Sequence, residues 1–145
     1  MPSLTREEAQ ALGGRADRPQ IASTARKKAS PKERAIQAAI LEYLGTVPGV
    51  MAWKSGAGMF PMTYRGKTRM VRMGKPGVSD IIGYRAVPPD RVHHLPGYAV
   101  FLSIEVKRPG HYPTPEQADF LKAVEDAGGI AICARSVSDV AERLR

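Results

Sequence analysis

Apolar positions recur along this chain with two different periods. Ile36, Ile40, Tyr43 and Leu44 are spaced three or four residues apart, the spacing of one helix face. Ser30-Pro31-Lys32-Glu33 precedes them as a capping box, with serine at the N-cap, proline at the first helical position and glutamate at N3. Gly45 predicts the stop. The same order returns at Thr114-Pro115-Glu116-Gln117, ahead of Phe120, Leu121 and Val124 and the terminating Gly128-Gly129. Ser136 caps a last helix that runs to Leu144. Shorter apolar runs at residues 50–53, 78–84, 98–107 and 130–134 predict strands. Residues 54–77 form a glycine-punctuated basic hairpin, with arms at 62–64 and 70–72 around Arg65-Gly66-Lys67. The resulting fold class is α/β, a single domain with a mixed sheet flanked by helices and a basic β-hairpin. Residues 1–29, rich in Ala, Arg, Ser, Gly and Pro, predict a flexible basic arm in which residues 5–12 could form a short helix.

Charges interrupt the apolar runs at Asp80, Glu105 and Lys107. A carboxylate in a buried strand is costly unless it is paired or binds metal. Side chains alternate along a strand, so Glu105 and Lys107 face one way while Leu102, Ile104 and Val106 face the other. A second strand ending near Asp80 would bring its carboxylate beside Glu105. Two carboxylates with strand carbonyl oxygens make an oxygen-only site suited to magnesium. The adjacent ammonium could orient or polarise a water for attack on a phosphate, the equipment of metal-dependent phosphodiester hydrolysis. On the first helix, Glu33 lies within about 20° of Ile40 and Leu44, while Glu42 points about 180° away. Glu33 is therefore the helical acid able to reach an interior site, unless it only caps its helix. Gln117 poses the same choice between capping and a site role.

Composition narrows the class of partner. The 145 residues hold 22 Lys and Arg against 14 Asp and Glu, a net charge of +8 and a pI near 9.9. That is the electrostatic footprint of a nucleic-acid binder. The excess is local: Lys54, Arg65, Lys67, Arg69, Arg72 and Lys75 occur with no acid among them, whereas eight basic and eight acidic residues balance after Asp80. A solvated hairpin kept soluble by its cations is the plainer account of this run. No signal peptide or membrane-length apolar stretch is visible, which predicts a cytosolic protein. The single Cys133 sits in an apolar run as a small buried hydrophobe. His93 and His94 have no zinc-like spacing and are expected on the surface.

In order, a helical Glu33, a basic loop, Gly74-Lys-Pro-Gly-Val-Ser-Asp80, Ile104-Glu105-Val-Lys107-Arg-Pro-Gly110 and Pro115-Glu116-Gln117 resemble the VRR-NUC branch of the PD-(D/E)xK nucleases, the restriction-endonuclease-like superfamily. The resemblance covers residues 31–144, so 30–145 is expected to be the nuclease domain. Ser79 stands where the family often has proline before the aspartate, a residue that is not a ligand. The resemblance implies Mg²⁺ or Mn²⁺ on Asp80, Glu105 and the Val106 carbonyl, with Lys107 positioning the attacking water. It further implies Glu33 supporting the metal and Gln117 orienting Lys107 or a phosphate. Small stand-alone phage and bacterial members imply structure-selective cutting of branched, flap or junction DNA. They also leave room for a homodimer, since one active site cuts one strand. The six basic residues would then grip phosphates in a shape-based mode. RNA stays open as a substrate. Two other readings stay open too: a DNA-binding module that keeps the nuclease fold without cutting, and a protein unrelated to DNA.

Overall fold

A computed structural model describes residues 31–145, so the arm at 1–29 and the Ser30 cap lie outside the described residues. Helix α1 (Pro31–Thr46) is followed by strand β1 (Val50–Lys54), the ribbon strands β2 (Gly58–Tyr64) and β3 (Lys67–Met73), then β4 (Ile81–Val87) and β5 (Tyr98–Val106). Helix α2 (Pro115–Asp126), strand β6 (Ile130–Ala134) and helix α3 (Val137–Arg143) complete the order. The main sheet runs β1-β4-β5-β6, while β2 and β3 form a separate two-stranded sheet. β4 pairs antiparallel with both β1 and β5, and β5 pairs parallel with β6. The protein is thus an α/β fold with a mixed sheet and, among the described residues, three helices. None of these helices is long and apolar enough to cross a membrane.

Ladder register puts Ile81, Ile104 and Ile132 in one row. That row belongs to the face that forms the core, together with Leu102, Val106 and Ala134 of the sheet, Ile40 and Leu44 of α1, and Val140 and Leu144 at the C-terminus. The stripe on α1 does what its spacing predicts: Ile40 and Leu44 are buried and Glu42 is exposed. Helix α2 packs on β5 and β6, and its buried Val124 lies outside that core cluster, so α2 covers the other face of the sheet. Between these layers β5 is buried on both sides from Leu102 to Val106, which accounts for its near-continuous apolar run.

Two of the capping patterns are realised in full. Thr114 and Gln117 form a reciprocal box at α2, and Ser136 and Asp139 form another at α3. The ribbon turns at Arg65 (φ 49°) and Gly66 (φ 73°). Two successive residues at positive φ give the tight primed turn that matches strand twist. Its arms are longer than the hydrophobic pattern implies, starting at Gly58 and ending at Met73.

Because Ile104 is fully buried at the centre of this packing, Ile104→Ala is expected to lower stability by about 2–5 kcal/mol. Urea unfolding followed by circular dichroism checks this, with the denaturant slope unchanged.

Candidate functional site

The chemistry-bearing residues meet where the β4–β5 ladder ends. The last printed pair is Ile81 with Ile104, so one further antiparallel step sets Asp80 opposite Glu105. On the other side the parallel register sets Glu105 opposite Cys133. Glu105 and Cys133 therefore share one row on the face away from the core, and Asp80 stands just before β4, level with Glu105.

The strand expected over 78–84 instead starts at Ile81, and the reason is steric and local. Gly77 adopts φ +80°, and a Cβ there would collide with the Glu116 carbonyl. The loop is thus pressed onto the first turn of α2 in a conformation only glycine tolerates, and it cannot lie in the ladder. Asp80 supplies with its side chain what the missing ladder would have supplied: Oδ2 accepts the Val106 N–H at 2.9 Å. Its backbone carbonyl accepts the Ser55 N–H at 2.7 Å, which ties the end of β1 to the same point.

Ser79, in the position just before the aspartate, is fully buried and accepts a 2.8 Å hydrogen bond from Ser103 on β5. Two buried hydroxyls satisfy each other, and together they hold the loop against the central strand. A proline could not make this bond. Ser79 therefore gives the loop an anchor of its own.

On β5, Glu105 is fully buried and its Oε1 accepts from Lys107 Nζ at 2.7 Å. The Lys107 side chain retains 14% exposure. Lys107 N–H donates to the Ala134 carbonyl at 2.9 Å, toward β6. Successive residues of a strand address opposite neighbours, so the N–H and C=O of Val106 both point to the Asp80 side. Two carboxylates and that carbonyl form an all-oxygen donor set, and hard divalent cations prefer such sets.

The remaining expected residues are placed less centrally. Glu33 is half-buried in the first turn of α1, on the stripe predicted for it. α1 packs on the Ile104 and Val106 face, across the sheet from the Glu105 row. Among the described residues no three of His, Cys, Asp or Glu converge as a metal-holding group. Gln117 is buried and caps α2, its Oε1 accepting the Thr114 N–H at 2.9 Å. Contact of Gly77 with Glu116 brings this helix start against the Asp80 loop. Lys54, Arg65, Lys67, Arg69, Arg72 and Lys75 are all exposed, on the ribbon and its two stems. His93 and His94 are exposed, and His93 Nδ1 lies 2.7 Å from Asp90 Oδ2, which holds the Asp90 carboxyl below its ordinary range.

Comparison with protein-family models, curated proteins and solved structures finds no match to this chain.

Three features of the site were not apparent as such from the sequence. Cys133 is half-buried, beside Glu105, where a fully buried small hydrophobe was expected. Burial pushes its thiol up, Arg135 works against this, and Glu105 adds to it. Gln37 is buried one turn above Glu33, a placement that its spacing of four could have indicated. The Nε of Arg108 is buried and has no hydrogen-bond partner among the described residues, directly after the Glu-x-Lys strand. The Lys107-Arg108 doublet was the available signal.

Ser79→Ala should destabilise by about 1–3 kcal/mol, because it strands the buried Ser103 hydroxyl. Adding Ser103→Ala should recover part of that loss, as a thermal-unfolding double-mutant cycle would read. For Cys133, burial pushes the thiol up, and only the thiolate reacts. Alkylation in the folded protein should be slower than for free cysteine at pH 8, accelerate only at higher pH, and become faster in Glu105→Gln.

Proposed function

We propose that this chain is a divalent-metal-dependent DNA endonuclease of the VRR-NUC type, hydrolysing phosphodiester bonds in branched, flap or junction DNA. The observation that carries this reading is the end of the β4–β5 ladder: fully buried Glu105 with Lys107 2.7 Å away, and Asp80 one residue before β4 with its carboxylate on the Val106 N–H. A fully buried carboxylate in a central strand has no evident structural gain over an apolar residue there, and a catalytic use accounts for it.

The residues present fit Mg²⁺ or Mn²⁺ in donor chemistry, because Asp80, Glu105 and the Val106 carbonyl are all oxygen donors near the end of the same ladder. The bound cation would supply charge neutralisation on the non-bridging phosphate oxygens and a more acidic water. Lys107 orients the attacking water and offsets charge that develops on the phosphate. Glu33 lies on α1, across the sheet from the Glu105 row, and is given no direct part in this donor set. Gln117 caps α2 and so fixes the helix start that meets the Asp80 loop. The exposed cations of the ribbon and its stems hold the DNA backbone, a sequence-independent contact that favours shape over base reading. A second protomer would supply the cut on the opposite strand.

Labelled duplex, flap, splayed-arm and four-way-junction DNA, incubated with Mg²⁺, Mn²⁺ or EDTA, test this. Wild type should cut only with metal, and Asp80→Asn, Glu105→Gln and Lys107→Met should each lose about a hundredfold or more of the rate. Circular dichroism should show the three variants folded. Tight, salt-sensitive binding by a wild type that never cuts would replace the nuclease with a DNA-binding module.

A further inference from the structure

The β2–β3 ribbon carries an arrangement that neither folding nor metal binding uses. Its register pairs Phe60 with Val71, Met62 with Arg69 and Tyr64 with Lys67. Cross-strand partners share a face, so Phe60, Met62, Tyr64, Lys67 and Arg69 all project from one side of the ribbon. The opposite side carries Pro61, Thr63, Thr68, Met70 and Arg72 and no aromatic residue, with the two threonine hydroxyls bonded at 2.8 Å. Phe60, Met62 and Tyr64 are respectively 43%, 48% and 68% exposed. Arg65 at the turn lies over the Tyr64 ring, 5.3 Å from its centroid.

An exposed apolar face of this kind marks a binding surface. Its charge selects the occupant. No acid occurs between Lys54 and Lys75, so a second copy of the same ribbon would meet like charge. A polyanion with flat apolar faces is the complementary partner. Bases stack on aromatic rings regardless of sequence, and cations track the phosphates between them. Phe60 and Tyr64 are four residues apart on one strand, about 13 Å by strand rise. They would therefore receive separate nucleotides of one unpaired strand, with Lys67 and Arg69 beside its backbone.

The ribbon is also rooted at the carboxylate row. Its two stems meet through the Ser55 N–H to Asp80 carbonyl bond and the close approach of Gly74 to Ala57, and the Ala57 N–H to Ser55 Oγ bond at 3.2 Å stiffens the first stem. A strand lying along the ribbon leads to Asp80.

We infer that the Phe60–Tyr64 face of the ribbon is a stacking platform for an unpaired nucleic-acid strand, which it delivers toward the Asp80–Glu105 row. This names the substrate class of the site and rests on the nuclease reading for its purpose. The platform itself binds without metal and without cutting. Duplex alone, with its bases stacked inside, gains only the phosphate contacts.

Fluorescence anisotropy of labelled single-stranded, duplex and splayed-arm oligonucleotides, as DNA and as RNA, tests this with the full chain in EDTA. Phe60→Ala with Tyr64→Ala should weaken single-strand and splayed-arm binding by about tenfold or more, leave duplex binding within about twofold, and keep the salt slope. Tyr64→Phe should restore its share of the affinity. Lys67→Ala with Arg69→Ala should weaken all substrates and reduce the salt slope by about two. All four positions are exposed, so unchanged thermal unfolding should accompany these effects. Equal losses on single strand and duplex, or no loss on either, would overturn the platform. So would a wild type whose ribbon variants change only its sedimentation as a dimer or its capture by anionic lipid vesicles. A wild type that binds single strands through these rings yet never cuts would leave the platform standing and remove the nuclease. Cutting that is unaffected by the ribbon variants would do the reverse.

Discussion

A fully buried carboxylate in the central strand of the sheet is the constraint around which this molecule is arranged. Glu105 has no exposure, and removal of an ion from water costs several kcal/mol even after relaxation. Lys107 at 2.7 Å provides the opposite charge on the same face, two residues along. The ammonium keeps some exposure at this end of the strand, while the carboxylate has none. Elsewhere β5 is apolar or carries the mutually bonded Ser103. The polar residues of the strand are thus all on one face, and the core face is left to Leu102, Ile104 and Val106.

The end of the neighbouring strand follows from the same place. β4 starts one residue after Asp80, and the free N–H of Val106 is taken by the Asp80 carboxylate. The chain before it is fixed from three directions: Gly77 against the start of α2, Ser79 against Ser103, and the Asp80 carbonyl against Ser55. Each contact is short and specific, and together they define the Asp80 backbone far better than a free loop would. A donor set needs that kind of support, because small misplacements of a metal ligand or a catalytic group lose much of its effect. The ribbon then extends from these stems, where its cations add to the field near the row.

How much of this could be read beforehand differs by element. The helices were legible because capping residues and apolar spacing agree, as at Thr114 to Val124. The strands of the sheet were legible as apolar runs, since β5 and β6 are buried on both faces or nearly so. The start of β4 was misplaced by three residues. Val78 and Ser79 are as apolar or small as strand residues, and only the positive φ of Gly77 and its contact with α2 remove them from the ladder. Cys133 looked like an ordinary core residue because a run of five small apolar residues does not tell which face meets a carboxylate. Gln117 could be a cap or a site residue by sequence, and the structure shows it capping α2.

The sequence alone determined the α/β class, the element order, the local positive charge, and the pairing of Glu105 with Lys107 on one face, because these depend on spacing along a single segment. Tertiary structure decided what depends on register between segments. It brought the Asp80 carboxylate to the Val106 N–H, set Cys133 in the row of Glu105, joined Ser79 to Ser103, and gathered Phe60, Tyr64, Lys67 and Arg69 on one side of the ribbon. A slip of one residue in any ladder would move each of these groups to the opposite face, and no local pattern in the chain records which register the packed sheet selects.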